Sequence, residues 1–115
     1  MTGVSKSWYE FVQVMNRKAS EIHIWATSKG FYDRPRSFAE AIALMHSELS
    51  EALEADRTDS FDDKLPHRKG IEVELADACI RIMDTAAYLN LDLGMAIAEK
   101  MAFNEGRPYK HGKEY

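Results

Sequence analysis

Two short stretches carry the side chains best able to do chemistry. Within residues 43–55, ALMHSELSEALEA, Glu48 and Glu51 stand three positions apart, and within residues 70–84, GIEVELADACIRIMD, Glu74 and Asp77 repeat that spacing. Residues at i and i+3 share a helix face, so each pair sets two carboxylates side by side if its stretch is helical. At about 100° per residue, Met45, Leu49, Ala52 and Leu53 form a core stripe on the first helix. Glu48 lies just off its edge, bracketed by Ala41, Leu44 and Ala55. On the second helix Ile71, Leu75, Ala78, Ile82 and Leu89 form the stripe, while Glu74, Asp77, Arg81 and Asp84 run along one flank. Packed side by side, the two helices bring four acidic groups face to face.

Four carboxylates in a partly dry groove repel one another, and burial penalises each unpaired charge. A cation is therefore expected among them. Oxygen-only ligands without Cys or His suit a hard ion, Mg2+ or Mn2+, which also holds waters and substrate phosphates. A single ExxE or ExxD is better explained as exposed helix carboxylates. The recurrence of the pair, each time beside a long apolar stripe, is what points to a metal.

Holding these pairs requires helices. The first opens at a capping-box pattern, Ser7-Trp-Tyr-Glu10, carries Trp8, Phe11, Val12, Met15, Ala19, Ile22 and Ala26 at helical spacing, and is expected to end near Gly30. KGFYDRPRS reads as a loop by its Gly, Asp and Pro content. A second capping box, Ser37-Phe-Ala-Glu40, opens the helix of Glu48 and Glu51, which should reach about Asp56. Residues 57–69 are polar, contain Pro66 and show no period; a loop this long, expected to be mobile, hints at function. The third helix should cover residues 70–90, and Asp92 can cap a fourth over residues 93–105. Residues 106–115 are basic and broken by Gly and Pro, hence irregular. The expected fold is all-α, a four-helix bundle-like single domain over residues 1–115.

The third helix carries a second apolar strip, Val73, Ala76, Ile80, Met83 and Ala87, on the side away from the first. A helix apolar nearly all round is buried on more than one side. Either another subunit covers that strip or the chain's own helices enclose it.

Charge of the opposite sign lies at the end of the chain. Lys100, Asn104 and Arg107 fall at i, i+4 and i+7, with Tyr109, Lys110, His111 and Lys113 directly after them. Alone, such a strip would suit the helix dipole. Beside an acidic metal cluster it suits a polyphosphate, because the metal neutralises some oxygens while Lys and Arg hold the others. His46 stands about 160° around the helix from Glu48 and reads as a surface residue; His67 reads as a loop residue. His111 reads equally as a phosphate contact and as a solvated tail residue.

Composition removes several classes of function. At 115 residues, 45% hydrophobic and 30% charged, the chain resembles one globular domain able to bury roughly two thirds of its unfolded surface. No apolar run approaches the roughly 20 residues of a membrane span, and the start MTGVSKSWYEF lacks a signal-peptide core, so a cytosolic protein with no membrane partner is expected. The lone Cys79 excludes an internal disulfide and a multi-cysteine zinc site. A net charge of -4 without a basic block argues against binding long nucleic acid, though not against binding one nucleotide.

Taken together, SELSEALEA, ELADACIRIMD and EKMAFNEGRPYKHGK resemble the MazG-like branch of the all-alpha nucleoside triphosphate pyrophosphohydrolases, whose relatives include dimeric dUTPases and phosphoribosyl-ATP pyrophosphatases. The resemblance spans residues 22–113, and the ending KxxxNxxRPYxHGK is its most specific part. It implies Mg2+ bound by Glu48, Glu51, Glu74 and Asp77, and phosphates held by Lys100, Asn104, Arg107 and Lys110 with Tyr109 nearby. It also implies hydrolysis between the α and β phosphates, yielding a nucleoside monophosphate and pyrophosphate. Sites shared between two subunits are usual in that family, which implies a homodimer or a dimer of dimers. Ile22-His23-Ile24-Trp25 precedes KGFYD where relatives place groups near the nucleoside, so His23 and Trp25 are implied substrate contacts. Full-length MazG proteins have two such domains and this chain has one.

In such a reaction a carboxylate such as Glu48 or Glu51 draws the proton from an attacking water, while Mg2+, Lys100 and Arg107 offset charge on the leaving oxygens. Two other classes are to be weighed. A ferritin-like di-iron bundle needs Glu-x-x-His pairs, and neither Glu48 nor Glu74 has His at i+3. A non-catalytic helical oligomerisation or nucleotide-sensing module would share the fold and the metal, and differs only in lacking turnover.

Overall fold

Four helices form where periodicity and capping residues predict them: α1 Lys6–Ser28, α2 Phe38–Thr58, α3 Gly70–Tyr88 and α4 Leu93–Glu105. The structure, a computed structural model, describes residues 3–114 without the His111 side chain, so the ends of the expected 1–115 domain and any role of that imidazole lie outside it. No strand occurs among the described residues.

The helix ends follow local chemistry. Ser5 already has the extended backbone of a cap, so α1 starts before the Ser7–Glu10 box, and the Ser5 hydroxyl lies 3.0 Å from that of Ser7 instead of capping the helix. The second box behaves as expected: the Glu40 N–H donates to the Ser37 hydroxyl at 3.1 Å. α2 runs two residues past Asp56 and stops where Asp59 turns left-handed, at φ 49°. Beyond it the chain is tied down rather than loose. Phe61 and Lys69 form an antiparallel bridge, and Asp62 Oδ2 accepts from the N–H groups of Lys64 and Leu65 at 2.9 and 2.7 Å. Asp92 caps α4 by accepting from the Met95 N–H at 3.1 Å, and within the tail Tyr109–Gly112 form a short 3-10 turn.

Packing runs in a row, α2 against α3, α3 against α1, and α1 against α4, which makes an open bundle. Small residues line the seams. The buried apolar side chains are Val12 and the alanines Ala19, Ala26, Ala41, Ala52, Ala78, Ala86 and Ala98. Gly94 is required at the α1–α4 contact, since a Cβ there would meet the Val12 carbonyl oxygen at 2.8 Å. Its N–H donates instead to Asn16 Oδ1 at 2.8 Å.

Two expectations about burial are corrected. The buried face of α2 centres on Ala41, Glu48 and Ala52, while Leu49 and Leu53 of the expected core stripe are 48% and 61% exposed. On α3, Leu75, Ile82 and Leu89 are likewise uncovered. Periodicity reports which residues share a face, and only the packing partner decides which face is covered. The second strip of α3 faces α1 in part, for Ile80 lines a groove with Ile22 and Trp25, and Ala87 one with Asn16 and Ala19.

The consequence is an unusually large surface. The chain exposes 8690 Å², against about 6,400 Å² for a monomer of this mass. Its radius of gyration is 16.7 Å, against about 13 Å for a closed domain of this length. No helix among the described residues is long and apolar enough to cross a membrane.

Candidate functional site

The α2–α3 seam brings the acidic residues together. Glu48 on α2 and Glu74 and Asp77 on α3 each offer a carboxylate oxygen within 4.8 Å of the others. Alanines at 52 and 78 leave the helices close enough for this. Glu48 is only 8% exposed, and its Oε1 accepts from Arg81 Nε at 2.9 Å. Glu51 is exposed beside this cluster rather than in it.

The protonation of the cluster shows how crowded it is. Burial, then hydrogen bonding with Glu51 and Glu48, then their like charge, push the Glu74 carboxyl up to about 8. Burial and the charge of Glu48 also raise Asp77, opposed by Arg81. The Glu74 Oε2 atom is buried and has no hydrogen-bond partner among the described residues. An orphaned buried oxygen within an all-oxygen donor set fits a hard divalent cation.

Next to the cluster lies a pocket of about 230 Å³. Ile22, Trp25 and Ala26 of α1 form one wall, Phe31 and Arg36 of the α1–α2 loop a second, and Ile80 and Arg81 of α3 a third. Glu48, Asp77 and Asp84 complete it. The volume lies below the about 300–1,000 Å³ of sites for drug-sized ligands and suits one flat ring. A lining of apolar and aromatic side chains together with carboxylates makes the site amphipathic.

Trp25 therefore lines the pocket. His23 does not line it; its Nδ1 lies 2.9 Å from Asp84 Oδ1, and its ring packs on Tyr32 and Tyr88. The cationic strip is not brought to the cluster within one chain, because α4 packs on α1 while the acids come from α2 and α3. Lys100, Asn104, Arg107, Tyr109 and Lys110 are absent from the pocket lining. Lys100 Nζ and the Arg107 guanidinium sit 4.7 and 5.8 Å from the Phe103 ring centre, and Lys110 Nζ 5.8 Å from that of Tyr109. Asn104 Oδ1 is buried without a partner.

Several site residues carry no sequence signal of the ExxE kind. Phe31 and Arg36 lie in KGFYDRPRS, where the only hint was the concentration of aromatic and Arg residues in a loop leading into a capping box. Asp62, whose charge acts on Asp77, comes from an aperiodic segment. Arg81 and Asp84 were legible on the flank of α3, four and seven positions beyond Asp77, though not their partners. Comparison of the chain with family models, curated proteins and solved structures found no match.

Proposed function

We propose that this chain is a Mg2+-dependent, MazG-like nucleoside triphosphate pyrophosphohydrolase, cutting between the α and β phosphates to release a nucleoside monophosphate and pyrophosphate. The observation that carries this reading is the three-carboxylate cluster with its orphaned Glu74 oxygen, set at the mouth of a ring-sized aromatic pocket. Glu48, Glu74 and Asp77 hold the ion, with Glu51 on the rim; Mn2+ is a chemically equivalent occupant. When bound, Mg2+ supplies charge neutralisation for phosphate oxygens and eases loss of a proton from water.

The chain's own residues do the rest. Trp25 and Phe31 flank the base, and the walls of the pocket exclude water from it. Glu51, exposed and adjacent to Glu74, accepts the proton of the attacking water, with Glu48 as the alternative base. Lys100 and Arg107, with Asn104 and Lys110, hold the departing phosphates.

Those cationic residues reach the cluster from a second copy of the chain. Two facts support a homo-oligomer: an excess of about 2,300 Å² over a monomer's surface, comparable to what obligate interfaces bury, and uncovered leucines at 49, 53 and 75. Housekeeping of the nucleotide pool is the role such a reaction would serve.

The deciding experiment is a panel of ribo- and deoxynucleoside triphosphates incubated with protein and Mg2+, with monophosphate and pyrophosphate as the expected products. Inorganic phosphate with a diphosphate product would overturn the bond assignment. Binding without turnover would favour a nucleotide-sensing module.

A further inference from the structure

Asp84 is a buried acid that the chemistry above leaves unused. It is 6% exposed, yet both oxygens are engaged: Oδ1 faces His23 Nδ1 at 2.9 Å and Oδ2 accepts from the Tyr32 hydroxyl at 2.7 Å. The rings close around it. His23 meets Tyr32 edge-on at 4.7 Å between centres, and Tyr88 lies 4.5 Å from Tyr32 and 5.6 Å from His23. The three hydrogen-bonded residues come from α3, α1 and the α1–α2 loop, so one carboxylate ties three elements together.

What that tie holds is the pocket wall. Tyr32 follows Phe31 directly, and both Phe31 and Arg36 line the pocket. Arg36 places its guanidinium 5.2 Å over the Tyr32 ring and a guanidinium nitrogen 3.4 Å from the Phe31 carbonyl oxygen. Backbone turns at Phe31 and Asp33 start the loop, and among the described residues Tyr32 alone anchors it to α3 by a side-chain hydrogen bond. Asp84 also borders the pocket, seven positions along α3 from Asp77 of the acidic cluster.

We propose that Asp84, His23 and Tyr32 form a positioning unit that sets Phe31 and Arg36 against Trp25, and so selects substrates by the planar heteroaromatic ring they carry. It rests on the nucleotide reading of this site. With its oxygens already satisfied, Asp84 acts through Tyr32 and His23 rather than on the reacting phosphates. Ring affinity and phosphate affinity are then separable properties, the first governed by this unit and the second by the metal cluster and the cationic strip.

The test compares wild type with Tyr32→Phe, which removes one hydroxyl and keeps the ring, and with Asp84→Asn. Calorimetry follows two probes: the nucleosides, which carry a ring without phosphates, and tripolyphosphate with Mg2+, which carries phosphates without a ring. Nucleoside affinity is expected to fall about tenfold, the scale of one lost hydrogen bond, with tripolyphosphate affinity unchanged. On the best triphosphate of the panel, KM should rise about as much while kcat stays within about twofold. Should Asp84→Asn fail to fold, Tyr32→Phe decides alone. Equal losses for both probes, unchanged nucleoside binding in Tyr32→Phe, or a wild type that binds no nucleoside would each overturn the proposal. A wild type that binds nucleosides through Tyr32 yet hydrolyses no triphosphate would overturn the enzymatic reading and leave the positioning unit standing.

Discussion

Arg81 Nε lies 2.9 Å from Glu48 Oε1, across the seam between α3 and α2. One guanidinium thus neutralises part of an acidic cluster, pairing with Glu48 and acting on Asp77 by its charge. The pairing compensates the burial of the Glu48 carboxylate, and the divalent ion proposed above would be a second source of the same positive charge.

Removing that guanidinium exposes the dependence. Arg81→Ala should destabilise the metal-free protein by about 1–2 kcal/mol, below the roughly 3–5 kcal/mol of a broken, fully buried pair, because the Arg81 side chain is 35% exposed. Mg2+ should recover part of the loss. Thermal melts in chelator and in Mg2+ measure both effects; a deficit unaltered by Mg2+ would separate Arg81 from the metal site.

The raised Glu74 carboxyl makes stability depend on pH in a definite direction. The folded chain keeps its proton up to about 8, whereas an ordinary glutamate loses it near 4.5. The folded state therefore binds more protons across that window, and stability falls as pH rises from about 4.5 to about 8. Asp77, raised for the same reason, acts in the same sense. Glu74→Gln should flatten this slope in chelator, as urea midpoints over that range would reveal; a slope equal to wild type would show that the cluster does not set it.

Activity and stability should separate in the amide variants. Glu51→Gln and Asp77→Asn each remove one like charge and should melt at or above wild type in chelator, yet lose turnover. Mg2+ should stabilise wild type by about 2.7 kcal/mol at a hundredfold excess over its Kd, and the variants much less. Variants that melt far below wild type in chelator, and shift with Mg2+ as wild type does, would make these carboxylates structural partners of cations.

Lys100→Ala and Arg107→Ala should weaken triphosphate binding far more than nucleoside binding. If α4 serves the cluster of another subunit, mixing inactive Lys100→Ala chains with inactive Asp77→Asn chains should restore part of the activity through sites built from the two intact halves. Recovery after mixing and refolding is the readout, and none at all would confine the site to one chain.

Leu53→Glu puts a charge on a side chain that is 61% exposed in the single chain, so it costs the isolated fold little. Its effect should fall on assembly. Sedimentation should show smaller particles than wild type, while an unchanged, active particle would leave that face outside any interface.

The helices were legible because apolar period and capping chemistry are local: Ser37 with Glu40, and Asp92 with Met95, each act within one turn. The acidic pairs were legible for the same reason, since i and i+3 need only one helix. What escaped depends on contacts distant in sequence. Leu49 and Leu53 look like core until α3 is seen to meet α2 through Ala52 and Glu48, and Tyr32 looks like a loop residue until Asp84, 52 positions away, receives its hydroxyl. The cationic strip is an intermediate case, with a clear helical spacing but a destination that no single chain reveals.

The alanine seam between α2 and α3 also limits how the protein can vary. Ala52 on α2 and Ala78 on α3 are both buried, and side chains this small allow close approach of the backbones that carry the carboxylates. A valine at either position would act as a spacer, parting Glu48 from Glu74 and Asp77 while altering no ligand. Overpacking of that kind costs stability in any tight interior, and at this seam it would also move the carboxylates of the proposed ion site apart.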